Sequence, residues 1–311
     1  MTSSIQMIGL GELLWDCFPD RRLPGGAPAN VAFHAQQLGL TAAVATRVGQ
    51  DELGEELDKF LLSQGLSTEL VQKDLARPTG TVTVTPNSTA TVNYAFLENS
   101  AWDYLEPQLS LMDAVRACDA LCFGTLAQRR PGTRTAISKC LQVASKGCLL
   151  VYDVNLRPPF YSRECIEKSL EHASIVKLND DEVRILAKLL EFQSLDEVRF
   201  CKGLLDKYKQ LELVCVTRGG RGCLAVTCEE TIEISGIPIA VADTVGAGDA
   251  FTAAIIYGRL ANWQLARTLE LANRFGAMVA SREGAMPDLR TELTAVKAEL
   301  DWSFRATPAP A

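Results

Sequence analysis

Residues 243–249 read Asp243-Thr-Val-Gly-Ala-Gly-Asp249, and an apolar run follows at once: Ala250, Phe251, Ala253, Ala254, Ile255 and Ile256. That run is too long and too rich in alanine for a typical strand, so it reads as a buried helix. The glycines then stand at the helix N-terminus, where unpaired backbone N–H groups and the helix dipole favour an anion. Asp249 falls in the first turn, beside that site. An anion cradle next to a carboxylate suits phosphoryl transfer to a hydroxyl: one part holds the phosphates and the other takes the proton. The same residues also suit an ordinary helix start, since the dipole alone favours an acid there and glycine marks tight turns. They come near a dinucleotide fingerprint as well, but that pattern requires Gly or Ala where Phe251 stands. It also opens a βαβ unit, whereas 263–280 reads as helix, so a dinucleotide oxidoreductase is the weakest reading.

Other stretches could carry chemistry. In Gly25-Gly26-Ala-Pro-Ala-Asn30, Pro28 suits a first helical position and the paired glycines let a ligand approach the backbone. Asn30 offers hydrogen bonds to a polyol; an ordinary tight turn would use the same residues. Asn179-Asp180-Asp181-Glu182 follows an apolar strand. Acids are favoured at a helix start, and Asn179 and Glu182 could also organise water around a phosphate-bound Mg²⁺. Thr217-Arg-Gly-Gly-Arg-Gly222 is either a hairpin turn or a glycine loop lying against a nucleotide. Asp153-Val-Asn-Leu-Arg-Pro158 ends another strand. No Gly-x₄-Gly-Lys-Ser/Thr occurs, which excludes the Walker route to phosphate binding.

These stretches need elements to position them. Short apolar strands are expected at 7–11, 42–48, 120–123, 149–153, 175–178, 213–217 and 223–227. Helices are expected at 28–38, 52–63, 133–144, 162–172, 180–190 and 195–208. Over 52–63 the apolar spacing is helical, with Asp51 as N-cap and Gly65 as stop. Such alternation implies an α/β fold with a mainly parallel sheet covered on both faces. In an open sheet of this kind ligands bind at the carboxyl ends of the strands, where all the loops named above would fall. Residues 79–98 break the alternation. Rich in Thr, Val and Tyr, they read as two strands joined by a turn near 86–88, with 14–18 a further strand of the same kind. This insertion is either a lid or a peripheral edge hairpin. Exposed edges of such strands often pair between subunits, so a homodimer is expected. The whole of 1–305 reads as a single domain with a discontinuous β lid at about 13–24 and 78–103, and 306–311 as a flexible tail.

Composition narrows the function. The chain has 311 residues, 47% hydrophobic and 22% charged, with net charge −7. That balance is globular, and no basic stripe suggests nucleic acid or an anionic membrane as partner. No stretch is long and apolar enough to span a bilayer, and no charged-then-apolar leader is seen. The ten cysteines are scattered, with no Cys-x-x-Cys, which suits buried free thiols in a reducing cytoplasm. The two histidines, His34 and His172, lie far apart. A His-based metal site or a Ser–His–Asp triad is therefore not expected.

Taken together, the early Gly25-Gly26-Ala-Pro-Ala-Asn30, the Asn179-x-x-Glu182 pair and the late Asp243-Thr-Val-Gly-Ala-Gly-Asp249 resemble the PfkB (ribokinase-like) sugar kinase family, most closely its fructokinase branch. The resemblance runs from Gly9-Leu-Gly-Glu12 to Gly284. It implies a ribokinase-like three-layer α/β/α fold with a mostly parallel central sheet and a small β-strand lid. It also implies an ATP- and Mg²⁺-dependent enzyme. Asp249 would be the base, the amides of Gly246, Ala247 and Gly248 the anion hole, and Arg157 a contact to the transferred phosphate or the sugar. Asp16, Gly25, Gly26 and Asn30 would bind the sugar. Lys177, Asn179, Thr217, Gly219, Gly222, Gly248 and Asn273 would line the nucleotide site, with Asn179 and Glu182 associated with Mg²⁺ through water. A monovalent cation such as K⁺ would sit on Asp243 and on backbone carbonyls of Val245, Val279, Arg282 and Gly284. Many members of the branch carry an Arg in the segment after the lid strands. Here that segment, 94–103, has none, and Phe96, Asn99 and Asp103 are expected to shape the sugar pocket instead.

The expected activity is phosphorylation of a primary hydroxyl of fructose. The alternatives are a kinase for ribose, 2-keto-3-deoxygluconate or a nucleoside, or a sugar- or nucleotide-sensing protein on a kinase scaffold.

Overall fold

A computed structural model describes residues 5–86, 92–194 and 196–306. The first part of the chain forms β1 (Met7–Leu10), β2 (Leu14–Cys17), β3 (Arg22–Gly25), α1 (Ala27–Gln37), β4 (Ala42–Gly49), α2 (Glu52–Ser63), β5 (Val71–Asp74), β6 (Gly80–Pro86) and β7 (Val92–Phe96). The middle continues with α3 (Leu109–Ala117), β8 (Ala120–Gly124), α4 (Pro131–Val143), β9 (Leu149–Asp153), α5 (Arg163–Leu170), β10 (Ile175–Asn179), α6 (Asp180–Leu189) and α7 (Glu197–Lys207). The last part forms β11 (Leu213–Thr217), β12 (Gly222–Val226), β13 (Thr231–Ser235), α8 (Ala247–Leu260), α9 (Leu265–Ala280) and α10 (Arg290–Ala306).

Nine strands make one large sheet in the order β13-β12-β11-β10-β9-β8-β1-β4-β5. All its pairings are parallel except β11 with β12 and β12 with β13. Side chains alternate faces along a strand, and here both faces are apolar. Ile8, Leu121, Phe123, Tyr152, Val176 and Val214 join one core with α3 to α7. Met7, Cys122, Val151, Ile175 and Leu213 join a second core with α1, α2, α8, α9 and α10. The result is three layers, α/β/α, as expected. The N-cap of α2 also behaves as expected: Asp51 Oδ1 accepts the Gly54 amide at 2.8 Å.

A second, four-stranded sheet has the order β3-β2-β6-β7. β2 runs parallel to β6, while β2–β3 and β6–β7 are antiparallel. The expected turn near 86–88 lies mostly outside the described residues, as does the expected tail after 306. Five elements, β3, β5, β13, α3 and α10, go beyond the sequence reading. β13 alternates between exposed and half-buried residues, so it lacks the apolar run that marks the central strands. Among the described residues no helix is long and apolar enough to cross a membrane. None of the ten cysteines is in a disulfide; Cys228 is exposed, Cys17 half-buried and the other eight buried.

Candidate active site

A cavity of about 470 Å³ opens between the carboxyl ends of the large sheet and the small sheet. From the small sheet come Leu14, Asp16, Val82, Tyr94 and Phe96. From the ends of β10 and β11 come Lys177, Asn179, Thr217, Gly219 and Gly222, and helices α8 and α9 supply Gly248, Asp249 and Asn273. Parallel strands place all their C-terminal loops on one edge, which is why stretches separated by 200 residues of sequence share one wall.

The N-terminus of α8 points into this cavity. Gly246 is its N-cap, with φ of 81°, and the helix has no side-chain cap. A side chain at Gly246 would run into the Ala285 carbonyl, so both the left-handed backbone and the close packing demand glycine there. The first amides of the helix therefore have no capping side chain between them and the cavity. A Cβ at Gly248 would stand 2.7 Å from Lys177 Nζ, so an ammonium group lies against the same helix end.

Asp249 is 8% exposed and accepts a hydrogen bond from Asn30 Nδ2 at 2.7 Å. Asn30 reaches it from the first turns of α1, and Gly26, the N-cap of α1, has φ of 113°. Burial, reinforced by the Asp153 charge, pushes the Asp249 carboxyl up to about 6, against the pull of Lys177, Asn30 and Arg157. Asp16 is also pushed up to about 6, by burial first, with Arg157 opposing. Lys177 is paired with Asp153 at 3.1 Å. Burial alone would lower its pKa, but Asp153, Glu182 and Asp249 outweigh burial and raise it. Thr252 Oγ1 adds a bond to Asp153 at 2.9 Å. The arrangement is a raised carboxylate, two cations and an open helix end around one space, which can accept a proton and hold an anion.

Most residues named from the sequence meet here: Asp16, Gly26, Asn30, Phe96, Arg157, Lys177, Asn179, Thr217, Gly219, Gly222, Val245, Gly246, Ala247, Gly248, Asp249 and Asn273 all line the cavity. Others do not. Asn99 is exposed, with φ of 55°, and accepts a bond from the Tyr104 hydroxyl. Asp103 is fully buried, closes a capping box with Ser100 and forms a bidentate pair with Arg129 at 2.7 Å. Neither lines the cavity: Asp103 holds the Ser100 amide and Arg129, and Asn99 meets the Tyr104 hydroxyl. Gly25 lies behind the wall, packed against the Asp16 carboxylate. Glu182 also lies off the cavity; its two oxygens accept the amides of Leu156 and Asn179 at 2.7 and 2.8 Å. Asn179 Oδ1 in turn accepts the Glu182 amide at 2.9 Å. This donor set does not fit direct ligation of Mg²⁺. Asp243 accepts the amides of Val245 and Gly284 at 3.0 and 3.2 Å, fastening the loop before α8 to the one after α9. The sequence reading missed Tyr94, Ile237, Ile239, Val241 and Glu12 as lining residues. Glu12 had a signal, an acid directly after an apolar strand, but one acid at a strand end is common.

The pfkB family carbohydrate kinase model matches residues 11–292. This chain belongs to that family. It is a phosphotransferase acting on a sugar, and its relatives are fructokinases. The probable fructokinase-4 of Arabidopsis thaliana is 30% identical over 312 residues, covering 92% of this chain and 94% of that protein. The fructokinase of Escherichia coli is 28% identical over 307 residues, covering 93% and 98%. A fructokinase structure from Vibrio cholerae O395, in a form with fructose, ADP and calcium ion bound, has a TM-score of 0.80 at 25% identity, covering 94% of this chain and 99% of that one. An uncharacterized sugar kinase from Pyrococcus horikoshii has a TM-score of 0.83 at 25% identity, covering 95% and 99%. The fold is thus ribokinase-like.

Proposed function

We propose that this chain transfers the γ-phosphoryl group of ATP to a primary hydroxyl of a sugar, with fructose as the leading acceptor. The observation that carries the reading is Asp249: a buried carboxylate with a raised pKa, held by Asn30 in the first turn of a helix whose uncapped N-terminus faces the cavity. Asp249 takes the proton from the attacking hydroxyl, and Asn30 fixes the carboxylate that receives it. The amides of Gly246, Ala247 and Gly248, with Lys177 beside them, hold the transferring charge. Positioning and charge neutralisation dominate, as phosphoryl transfer needs little covalent help. Asp16 and Gly26 contact the sugar, and Arg157 the sugar or the phosphate. Thr217, Gly219, Gly222 and Asn273 face the nucleotide, beside the apolar loop of Ile237, Ile239 and Val241.

Mg²⁺ would arrive on the phosphates and supply charge neutralisation there. Asn179, which lines the cavity, would reach it through water, and Glu182 would hold the Asn179 and Leu156 loops in place. The Asp243 loop would seat a monovalent cation, and the small sheet would act as a lid over the sugar and pair with a second copy.

A panel of sugars with ATP, read by ADP release, tests the acceptor. Fructose should give the highest kcat/KM. A preference for ribose, 2-keto-3-deoxygluconate or a nucleoside would replace it, and sugar binding without ADP release would establish a sensor. Elution as a 33.8 kDa monomer would remove the dimer.

A further inference from the structure

Glu12 follows β1 and has no role in the reading above. It lines the cavity and is only 2% exposed, more deeply buried than Asp249. Its backbone carbonyl packs against Gly26, so it touches the loop that starts α1. Its side chain reaches the same loop, where Oε1 accepts the Ala27 amide at 3.3 Å. The other oxygen, Oε2, is buried with no hydrogen-bond partner. A bare charged oxygen in that position is costly. The charged groups facing Glu12 are Asp249 from α8, which disfavours a second negative charge, and Arg157 from the loop after β9, which favours it. Asp16 of β2 and Lys177 of β10 are the remaining charged groups in the cavity wall. Burial outweighs the hydrogen bonds and Arg157, and pushes the Glu12 carboxyl up to about 7.

We propose that Glu12 works as a neutral acid in the sugar site: Oε1 holds the Gly26-Ala27 loop, and the Oε2 hydroxyl donates a hydrogen bond to an oxygen of the bound sugar. The inference rests on the sugar-kinase reading above. It gives the unpartnered atom its partner, and it keeps a further negative charge away from Asp249. It also makes Glu12 a specificity-determining residue, because a sugar without the matching oxygen would leave the Oε2 hydroxyl unsatisfied.

The test compares Glu12→Gln and Glu12→Ala with the wild-type protein on the preferred sugar and on its monodeoxy analogues. Glu12→Gln keeps an acceptor and a donor, so its kcat/KM should stay within about threefold of wild type. Glu12→Ala should lose roughly tenfold to a hundredfold in kcat/KM for the sugar, through KM, with the KM for ATP unchanged. For one deoxy analogue, wild type should show that same loss and Glu12→Ala no further loss. Wild-type kcat/KM should decline as pH rises through about 7, where the donor proton is lost, and Glu12→Gln should remove that decline. A Gln variant as impaired as Ala, or an Ala loss equal on every analogue, overturns the proposal. Calorimetric sugar affinities keep the two readings apart. Glu12→Ala binding the sugar as tightly as wild type removes this role alone, whereas wild-type binding without sugar-dependent ADP release removes the kinase reading.

Discussion

Two helix starts in this molecule look alike in sequence and differ in what they leave open. Both α6 and α8 follow a glycine- or asparagine-led turn and carry an acid at the third helical position. At α6 the Asn179 side chain accepts the Glu182 amide and Glu182 accepts the Asn179 amide, closing a capping box. The helix end satisfies itself, and the spare Glu182 oxygen ties down Leu156. At α8 the N-cap is a glycine with no side chain, and the acid turns away to Asn30 on another helix. A helix end left without a side-chain cap leaves its first amides to backbone, water or a ligand; here the Ala247 amide donates to the Thr244 carbonyl at 3.4 Å, and no side chain caps the rest. The acid at α6 is taken up by two backbone amides, while the acid at α8 faces the cavity, where the proposed reading makes it the base.

The comparison can be broken. Asp249→Asn keeps the shape and the Asn30 contact but removes the proposed base, and should slow turnover by on the order of 10²–10⁴. A correctly folded Asn variant with near-normal kcat would end the distinction. Gly248→Ala pushes a methyl group toward Lys177 Nζ and should cost on the order of 10² in kcat, with the melting temperature much less affected. If stability falls and turnover does not, α8 is an ordinary helix start.

Acid pH sharpens the contrast. A base must be unprotonated to act, and Asp249 is held up to about 6. In kcat/KM against pH the rate should rise through about 6 and fall roughly tenfold per unit below it. An acid limb near the ordinary aspartate value would place the base elsewhere. The smallest effect belongs to α6: Asn179→Ala should cost about 1 kcal/mol of stability through the lost cap. Thermal unfolding would register it, and a variant with unchanged melting would show that the capping box contributes little.

Much of the architecture is legible along the chain. The parallel strands are short apolar runs because both faces are buried, and α8 declares itself by an alanine-rich run that is buried almost all round. The elements at the margins are not legible. β13 is half exposed, and α10 buries a narrow stripe at Leu293 and Leu300, too sparse to stand out from a solvated helix. Within the site, the segment after β7 differs most from the expectation, since neither Asn99 nor Asp103 lines the cavity. Asn99 and Asp103 follow Phe96 within seven residues, but Arg129 arrives from beyond α3 and pairs with Asp103 away from the cavity.

The residue types and their order, by themselves, determine that a glycine-led helix start and an acid stand together, since both follow from local backbone rules within seven residues. Which acids face the ligand was decided only by the tertiary structure. Asp249, Glu182, Asp103 and Glu12 are all buried carboxylates, and what separates them is which groups from distant parts of the chain occupy their oxygens. Asn30 holds Asp249 and Arg129 claims Asp103. Glu182 is spent on two amides, and one oxygen of Glu12 is left without a partner. Burial makes an unpaired oxygen costly, so the partners set by the fold decide each acid's chemistry.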